Sequence, residues 1–286
     1  MNLVRQLLNR ISKDKKRVIV IGDAILDVWV YGTLEPCQDQ CQKLVENARY
    51  TSRGGAGNAC ESIRHWKIKT QLYSFSGSHQ PVKVRFVGDD SKFTLRWDYE
   101  TPSLEVDRIG YKPVYDSTLR MCRCASGVLL SDYDKGFLTP EFIREVISIC
   151  NWRNIPCVAD VKRIPKIYSG AVIKCNHQYW ENHLSRGIPP EGSKALVVTR
   201  GPKAPYFFET GKGTDGFSDG KPVECINHVG AGDCFAAHLT LALAYGFTLR
   251  EAAIIAHSAG RVYVQHPHNR PPLPSEVEQD LEMSTS

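Results

Sequence analysis

The chain has 286 residues, of which 42% are hydrophobic and 23% are charged, as is typical of globular proteins with a sizeable core. This composition excludes a disordered chain, a collagen-like chain and a disulfide-stabilised miniprotein. The formal net charge of +5 is spread along the sequence, which suits small anionic ligands but is too mild to indicate nucleic-acid binding.

No membrane-spanning segment is predicted. The longest uncharged stretch, Cys234 to Leu249, contains His238 and is short, whereas a spanning helix needs about 20 apolar residues. The N-terminal sequence MNLVRQLLNRISKDKK has no apolar core and no small-residue cleavage site. We therefore expect a short amphipathic helix with a basic end there, rather than a signal peptide.

The ten cysteines contain no C-x-x-C pair, and several fall inside apolar runs. Buried reduced thiols behave as small hydrophobic side chains and are typical of reducing compartments. The cysteines are therefore predicted to be free and structural, and the protein to be cytoplasmic.

Buried strands and helices alternate along the predicted chain. Continuous apolar runs predict strands at 17–22, 127–130, 156–160 and 194–199. Helices are predicted from Gly54 to Ile68, after an N-cap at Thr139, from Gly230 and from about Leu249. This order predicts a parallel sheet covered on both faces within one domain, 1–286. Two segments, 28–50 and 71–98, alternate polar and apolar residues instead and are interpreted as a small lid sheet.

The strongest functional signal is the VGAGD motif at 229–233, which opens an apolar helix. Glycines at a helix N-terminus leave backbone N–H groups free to face an anion, and the helix dipole favours negative charge there. Asp233 could then deprotonate a hydroxyl nucleophile while the amides hold a phosphoryl oxygen. A glycine turn in which Asp233 only caps the helix explains this motif equally well in isolation.

A second glycine motif, GGAGNA at 54–59, also opens a helix. Closely spaced glycines allow a ligand to approach the backbone, and Asn58 can both donate to and accept from a pair of hydroxyls. Tight packing of the helix on the sheet is at least as good an explanation of this motif alone.

Together these motifs resemble the ribokinase-like (PfkB) carbohydrate kinases, from about Lys16 to about Arg270. One branch is resembled in particular, the D-glycero-β-D-manno-heptose 7-phosphate 1-kinases. The matching motifs are GDAILD (22–27) with Tyr31-Gly32, GGAGN (54–58), LSDYDKG (130–136), DVK (160–162), VTR (198–200) and GAGD (230–233). SDYDKG is much more specific than GAGD, which all members of the family share.

The resemblance implies an α/β, ribokinase-like fold with a Rossmann-like parallel-core sheet, helices on both faces and a small β lid. It implies transfer of the ATP γ-phosphoryl group to a sugar hydroxyl with Mg²⁺, by the kinase half only of the longer heptose enzymes. It also implies a homodimer formed through the lid.

Residue roles follow from the same resemblance. Asp233 is implied to be the catalytic base, with the anion hole formed by Gly230, Ala231 and Gly232. The implied substrate-binding residues are Asp23, Asp27, Gly54, Gly55, Asn58, Lys83, Arg85, Asp132 and Lys135. The implied nucleotide-binding residues are Lys162, Asn176, Thr199, Arg200 and Gly201. Asn176 also matches the first position of the N-x-x-E motif that organises magnesium and phosphate.

The sequence departs from the family at several of these places. Tyr179 stands where N-x-x-E has its glutamate, and Glu181, two residues on, is a candidate substitute that would act on magnesium through water. Val229 replaces the threonine common before GAGD, and 202–205 replace a glycine-containing turn. The region between Phe75 and Val82 is shorter than in the heptose kinases.

Lys83 and Arg85 are two residues apart on a predicted strand, so they share one face and could clamp a sugar phosphate. Solvated charges on an edge strand are the alternative. Three functions therefore stay open: a kinase of a phosphorylated heptose or related sugar, a ribokinase-type kinase of an unphosphorylated sugar or nucleoside, and a catalytically weakened relative that binds ATP or sugar. The intact GAGD and GGAGN motifs favour the two kinases, and the altered N-x-x-E favours the third.

Overall fold

The computed structural model describes residues 2–37, 42–75, 80–88, 93–100, 108–163, 165–184, 190–210 and 213–285. The helices within these ranges are α1 (Leu3–Lys13), α2 (Ala56–Arg64), α3 (Arg108–Cys122), α4 (Pro140–Trp152), α5 (His177–His183), α6 (Ala231–Ala244), α7 (Leu249–Tyr263) and α8 (Pro274–Thr285). The strands are β1 (Arg17–Gly22), β2 (Ala24–Pro36), β3 (Gln42–Gly55), β4 (Lys69–Tyr73), β5 (Val82–Val87), β6 (Phe93–Tyr99), β7 (Gly127–Ser131), β8 (Cys157–Asp160), β9 (Val172–Asn176), β10 (Ala195–Arg200), β11 (Lys203–Glu209) and β12 (Gly213–Asp215).

The main sheet has eight strands in the order β12-β11-β10-β9-β8-β7-β1-β4. The six strands from β10 to β4 are parallel, and β11 and β12 add an antiparallel edge. Successive side chains of β1 enter opposite cores: Val18 and Val20 pack with α2, α6 and α7, whereas Ile19 and Ile21 pack with α4. The predicted parallel sheet with helices on both faces is confirmed.

The predicted strands at 17–22, 127–130, 156–160 and 194–199 are β1, β7, β8 and β10. α4 begins after Thr139, whose hydroxyl accepts the Phe142 amide at 3.2 Å, as its capping sequence predicted. α2 begins later than predicted, because Gly54 and Gly55 pair with Ile25 and Ala24 as the end of β3. α3, α5 and α8 were not predicted.

A second sheet of four strands, in the order β3-β2-β5-β6, forms the lid. Its boundaries differ from the prediction. β4 pairs with β1 and so belongs to the main sheet, although its last residues were assigned to the lid. Most of the shortened stretch between Phe75 and Val82 lies outside the described residues.

Among the described residues, eight cysteines are free thiols and six of these are buried, in agreement with the prediction for those positions. Cys37, near the end of β2, is disulfide-bonded, so the prediction of free cysteines throughout is wrong there. In the described part of the chain, no helix is both long and apolar enough to cross a membrane.

Candidate active site

The candidate site lies where the parallel strands of the main sheet end. In the main sheet β4 is the neighbour of β1 on one side, and β7 to β10 follow on the other side. The order in which the chain adds strands therefore reverses at β1. Ligands of open α/β sheets bind at the carboxyl ends of the strands beside such a switch point. At this edge Asp23 follows β1, Asp132 follows β7, and Asp160 and Asn176 end β8 and β9.

Asp233 lies in the first turn of α6 and is only 2% exposed. Its Oδ1 accepts a hydrogen bond from the Tyr133 hydroxyl at 2.6 Å, and its Oδ2 lies 3.4 Å from the Asn58 amide nitrogen. Burial, followed by repulsion from Asp160, raises the pKa of Asp233 to about 7. A carboxylate with such a pKa matches the requirement of a general base that works near neutral pH.

The helix N-terminus beside Asp233 has the geometry of an anion site. Gly230 is the N-cap residue at φ 85°, and no side chain caps the helix. A Cβ atom on Gly230 would collide with the Tyr263 hydroxyl and with the Asn58 amide, so both the backbone angle and the space require glycine. The Ala231 amide donates to the His228 carbonyl at 3.3 Å, and the amides that follow it, together with the positive end of the helix dipole, favour an anion here.

Asn58 connects the two glycine motifs. Its amide nitrogen donates to the Gly230 carbonyl at 3.0 Å and to the Tyr263 hydroxyl at 3.1 Å. Its Oδ1 is buried and has no hydrogen-bond partner among the residues that the structure describes. Because a buried amide oxygen is normally paired, this atom is suited to accept a bond from a ligand hydroxyl.

Two further charged residues complete the site, and sequence reasoning missed their roles. Asp160 and Lys174 are register neighbours on β8 and β9, and the Lys174 ammonium contacts both Asp160 oxygens at 3.0 and 3.1 Å. A Cβ on Gly232 would lie 3.0 Å from that ammonium. A second cation is Lys162, whose Nζ lies 5.3 Å from the Tyr133 ring centroid; attraction to Asp160 raises its pKa. Asp160 stood inside a recognised motif, whereas nothing in the sequence pattern singled out Lys174.

Asp23 holds the loop that follows β7 rather than presenting a free carboxylate. Its Oδ2 accepts the amides of Tyr133 and Lys135 at 2.9 and 3.1 Å, and its Oδ1 accepts the Phe137 amide at 3.3 Å. Burial raises the pKa of Asp23 to about 6, although the Lys135 amide opposes this rise.

Asp132 is fully buried and has three partners of its own. It accepts bonds from the Arg163 guanidinium, from the Tyr168 hydroxyl at 2.6 Å and from the Asp134 amide at 2.9 Å. Both aspartates were assigned to substrate by resemblance, and both bind protein groups in this structure.

Asp27, on the lid strand β2, is likewise occupied. Arg85 of β5 pairs with its Oδ1, and the Asn269 amide donates to its Oδ2 at 2.9 Å. The Arg85 guanidinium also lies over the Trp29 ring at 4.8 Å and its side chain is 6% exposed. Gly54 leaves the space for the Asp27 carboxylate, since a Cβ there would collide with it.

The two other cations predicted to bind the substrate, Lys83 and Lys135, belong to one network of ion pairs. Lys83 contacts Asp98 at 2.9 Å and Glu100 at 3.6 Å, and Lys135 contacts Glu100 at 2.7 Å. Lys83 and Arg85 do lie on one strand face, as predicted, opposite Asp27 and Trp29 in the register. Each cation nevertheless has a carboxylate partner in this structure.

The predicted nucleotide residues of β10 lie at the same edge of the sheet. Thr199 pairs in register with Asn176, and its hydroxyl donates to the Cys175 carbonyl at 3.2 Å. Arg200 donates to the Ala204 carbonyl at 2.8 Å and lies over the Tyr206 ring. Gly201, at φ 62°, turns the chain into β11.

The residues predicted to organise magnesium contact other protein groups in this structure. The Asn176 carboxamide oxygen caps α5 by accepting the Tyr179 amide at 2.7 Å, and the Tyr179 hydroxyl donates to the Arg163 carbonyl. Glu181 pairs with His177 at 3.2 Å. Among the described residues, no group of three or more His, Cys, Asp or Glu side chains could hold a metal ion.

Comparison with known proteins gives a consistent result. The family model for "pfkB family carbohydrate kinase" matches residues 181–276, the part of the chain that contains GAGD. The bifunctional protein HldE of Granulibacter bethesdensis is 27% identical over 87% of the chain, and that of Caulobacter vibrioides is 28% identical over 87%. The chain spans 61% and 60% of these two relatives.

Solved structures share the fold. Ribokinase of Arabidopsis thaliana, complexed with ribose and ATP, superposes with a TM-score of 0.69 at 16% identity, covering 95% of this chain and all of that one. Phosphofructokinase-2 of Escherichia coli, in complex with substrates and products, gives a TM-score of 0.72 at 16% identity over 94% of this chain and all of that one. The predicted ribokinase-like fold is confirmed. The segment matched by the family model contains Asp233 and the N-terminus of α6, while Asn58 and Asp160 come from elements outside it.

Proposed function

We propose that this protein transfers the γ-phosphoryl group of ATP to the anomeric hydroxyl of a heptose 7-phosphate or a closely related sugar phosphate. The observation that supports this most is the position of Asp233, a buried carboxylate with a pKa of about 7 in the first turn of an uncapped helix. The HldE relatives support the sugar class. Their matches extend over 87% of the chain.

In the proposed reaction the acceptor hydroxyl lies between Asp233 and the N-terminus of α6. Its oxygen forms a bond to the γ-phosphorus as the bond from that phosphorus to the bridging oxygen breaks. The electron pair of the broken bond leaves with ADP, and the acceptor proton passes to Asp233. The α6 amides and the Lys174 and Lys162 ammonium groups face the negative charge of the transferred group.

A cavity of 140 Å³ is proposed to take the purine ring of ATP. It lies between α7, α8 and the segment 217–220, and Asp219 from its wall pairs with Arg200 at 3.7 Å. Phe217 supplies an apolar wall, and within the described part of the chain the buried Nε2 of His257 has no hydrogen-bond partner. Burial lowers the pKa of His257, so a neutral imidazole would face the purine ring.

Magnesium is proposed to arrive on the ATP phosphates, because the protein residues predicted to organise it are bound to other groups. Magnesium commonly keeps several waters and uses few protein carboxylates. The cation would screen the phosphate charges; no protein ligand is assigned to it.

The acceptor phosphate is proposed to bind Lys83 and Lys135 at the lid. A phosphate carries more charge than either carboxylate that now contacts them, Asp98 and Glu100. The same pairing supports a second candidate, a kinase of an unphosphorylated sugar, because the carboxylates already neutralise both cations.

An ATP-consumption assay with a panel of sugars and sugar phosphates tests these proposals, with Asp233→Asn as the blank. The first proposal expects a preference for heptose 7-phosphate and a KM for it that rises about tenfold in Lys83→Met. Lys43→Met, an exposed lid lysine paired with Glu35, is the matched control and should leave KM unchanged. Preference for an unphosphorylated sugar would support the second candidate, and no turnover of any member would contradict both.

A homodimer through the lid is also proposed. The lid face turned away from Asp27 exposes Trp97, Tyr99 and Leu95 by 56%, 53% and 59%, next to the valines of β5. A contiguous apolar face of this kind is typical of protein interfaces. Trp97→Glu should shift the sedimentation coefficient from dimer to monomer; a wild-type monomer at micromolar concentration would contradict the proposal.

The cytoplasmic location stays a proposal that rests on the free thiols of the core.

A further inference from the structure

Tyr133 makes the shortest hydrogen bond to the Asp233 carboxylate, and it has no role in the proposed reaction as described above. It stands in the loop that follows β7, and its hydroxyl donates to Asp233 Oδ1 at 2.6 Å. Asn58 approaches the other oxygen at only 3.4 Å. Tyr133 is therefore the main hydrogen-bond donor that fixes the orientation of this carboxylate.

The tyrosine is itself held in place through its backbone. Asp23 accepts its amide at 2.9 Å and two later amides of the same loop. Asp134 adopts a left-handed backbone at φ 58°, and its amide bonds the Asp132 carboxylate. A buried carboxylate at each side of the loop thus fixes the place from which the phenol reaches Asp233.

We infer that Tyr133 is a positioning residue for the catalytic base: its hydroxyl holds Asp233 by Oδ1 and leaves Oδ2, beside Asn58, to accept the proton of the acceptor hydroxyl. Asp23 is the anchor of this arrangement. The inference rests on the proposed function of Asp233 as the base.

The electrostatic surroundings give the contact a measurable consequence. Burial and Asp160 raise the pKa of Asp233, and the Tyr133 hydrogen bond opposes that rise, together with Lys174 and Lys162. Removing the phenol should raise the pKa further, because a donated hydrogen bond stabilises the ionised carboxylate. The titratable and charged groups that face Asp233 and Tyr133 from the packed elements are Asp27, Asp160, Lys162, Lys174, Cys234 and Tyr263.

The test is the pH profile of kcat/KM in Tyr133→Phe. A base must be ionised, so activity rises with pH through its pKa. In the variant this acid limb should move up by about one pH unit, equal to a tenfold lower ionised fraction at pH values below the limb. KM for ATP should stay near the wild-type value, since Tyr133 has no nucleotide contact in the proposed reaction.

Tyr168→Phe is the matched control. Its hydroxyl also donates to a buried aspartate at 2.6 Å, but that aspartate is Asp132. This variant should lose stability without moving the acid limb. An unshifted limb in Tyr133→Phe, or an equal shift in Tyr168→Phe, would overturn the inference.

The same shift can be read without turnover. The free energy of unfolding in urea is measured from pH 5 to pH 8, with and without Asp233→Asn, in the wild-type and in the Tyr133→Phe background. The effect of Asp233→Asn on this free energy should change more steeply with pH in the Tyr133→Phe background than in the wild-type background. Equal slopes would overturn the inference even if no acceptor is phosphorylated, whereas the proposed function fails on the substrate panel alone. If Tyr133→Phe does not fold, Asp23→Asn, which loosens the loop, should move the limb in the same direction, and no movement would refute the anchor.

Discussion

Replacing Asp233 with asparagine should slow turnover strongly and at the same time stabilise the fold above neutral pH. The folded-state pKa is about 7, raised from 3.8 mainly by burial. The native state therefore binds a proton more tightly than the unfolded chain, and stability falls as pH rises between the two values. Asparagine keeps the shape and the acceptor oxygen for Tyr133 but carries no charge.

A shift of about three pKa units corresponds to about 4 kcal/mol at 1.36 kcal/mol per unit. About 2.5 kcal/mol of this should develop between pH 5 and pH 8, because the folded carboxylate ionises only near the top of that range. Urea unfolding at the two pH values measures it: the stability of Asp233→Asn relative to wild type should increase by that amount. Turnover should fall by about 10²–10⁴-fold, the range for one general base.

Asp132→Asn is the contrasting control. Asp132 is equally buried but pairs with Arg163, so its removal leaves that cation with only the exposed Asp134 carboxylate and should destabilise the fold at both pH values. The reasoning about Asp233 would be refuted if the advantage of Asp233→Asn were the same at pH 5 and pH 8, or if kcat were unchanged.

Three further changes have outcomes set by the contacts. Gly230→Ala should cost stability and activity together, measured by thermal unfolding and kcat, because its left-handed φ of 85° and its crowded surroundings exclude a Cβ; a variant with wild-type kcat would argue against the tight approach. Arg85→Ala should destabilise by about 3–5 kcal/mol in urea, since it leaves Asp27 buried with a charge, and Arg85→Ala with unaltered stability would mean that the pair is not formed. Glu181→Gln should leave the magnesium concentration needed for half-maximal activity unchanged, because the side chain pairs with His177; a sharp rise would show that Glu181 serves the metal.

The sequence was sufficient for four buried strands of the parallel sheet, and insufficient for the partners of the buried charges. Buried strands such as β1 and β7 are continuous apolar runs, and the cap at Thr139 is a local signal, so both could be predicted. Glycine motifs likewise mark the positions where α2 and α6 begin. α5 has seven residues and little periodicity, which is why it was not predicted.

The local sequence around a residue does not show which distant side chain it pairs with in the fold. Asp23 and Asp132 belong to motifs that indicate substrate, yet each carboxylate accepts hydrogen bonds from groups of the protein. Lys174 lies on a buried strand, where a charged side chain is unfavourable unless it is paired. Its partner, Asp160, lies opposite it on the neighbouring strand. Such pairs are determined by the strand order, which composition and periodicity do not specify.

The pairing of the lid cations decides which of them can serve an acceptor phosphate. The Lys135–Glu100 contact is partly exposed, and such ion pairs contribute about 0–1 kcal/mol, so a phosphate can replace the carboxylate at little cost. Arg85 is different, because its exchange would leave Asp27 charged and buried. Lys83 and Lys135 are therefore better suited to bind the phosphate, whereas Arg85 keeps Asp27 in place. Lys135→Met should then raise KM for a sugar phosphate about tenfold without loss of stability. Arg85→Ala should mainly lower the free energy of unfolding, with a smaller effect on KM for a sugar phosphate. The reverse pattern, with Arg85→Ala as stable as wild type and defective only toward phosphorylated sugars, would reassign the phosphate to the arginine.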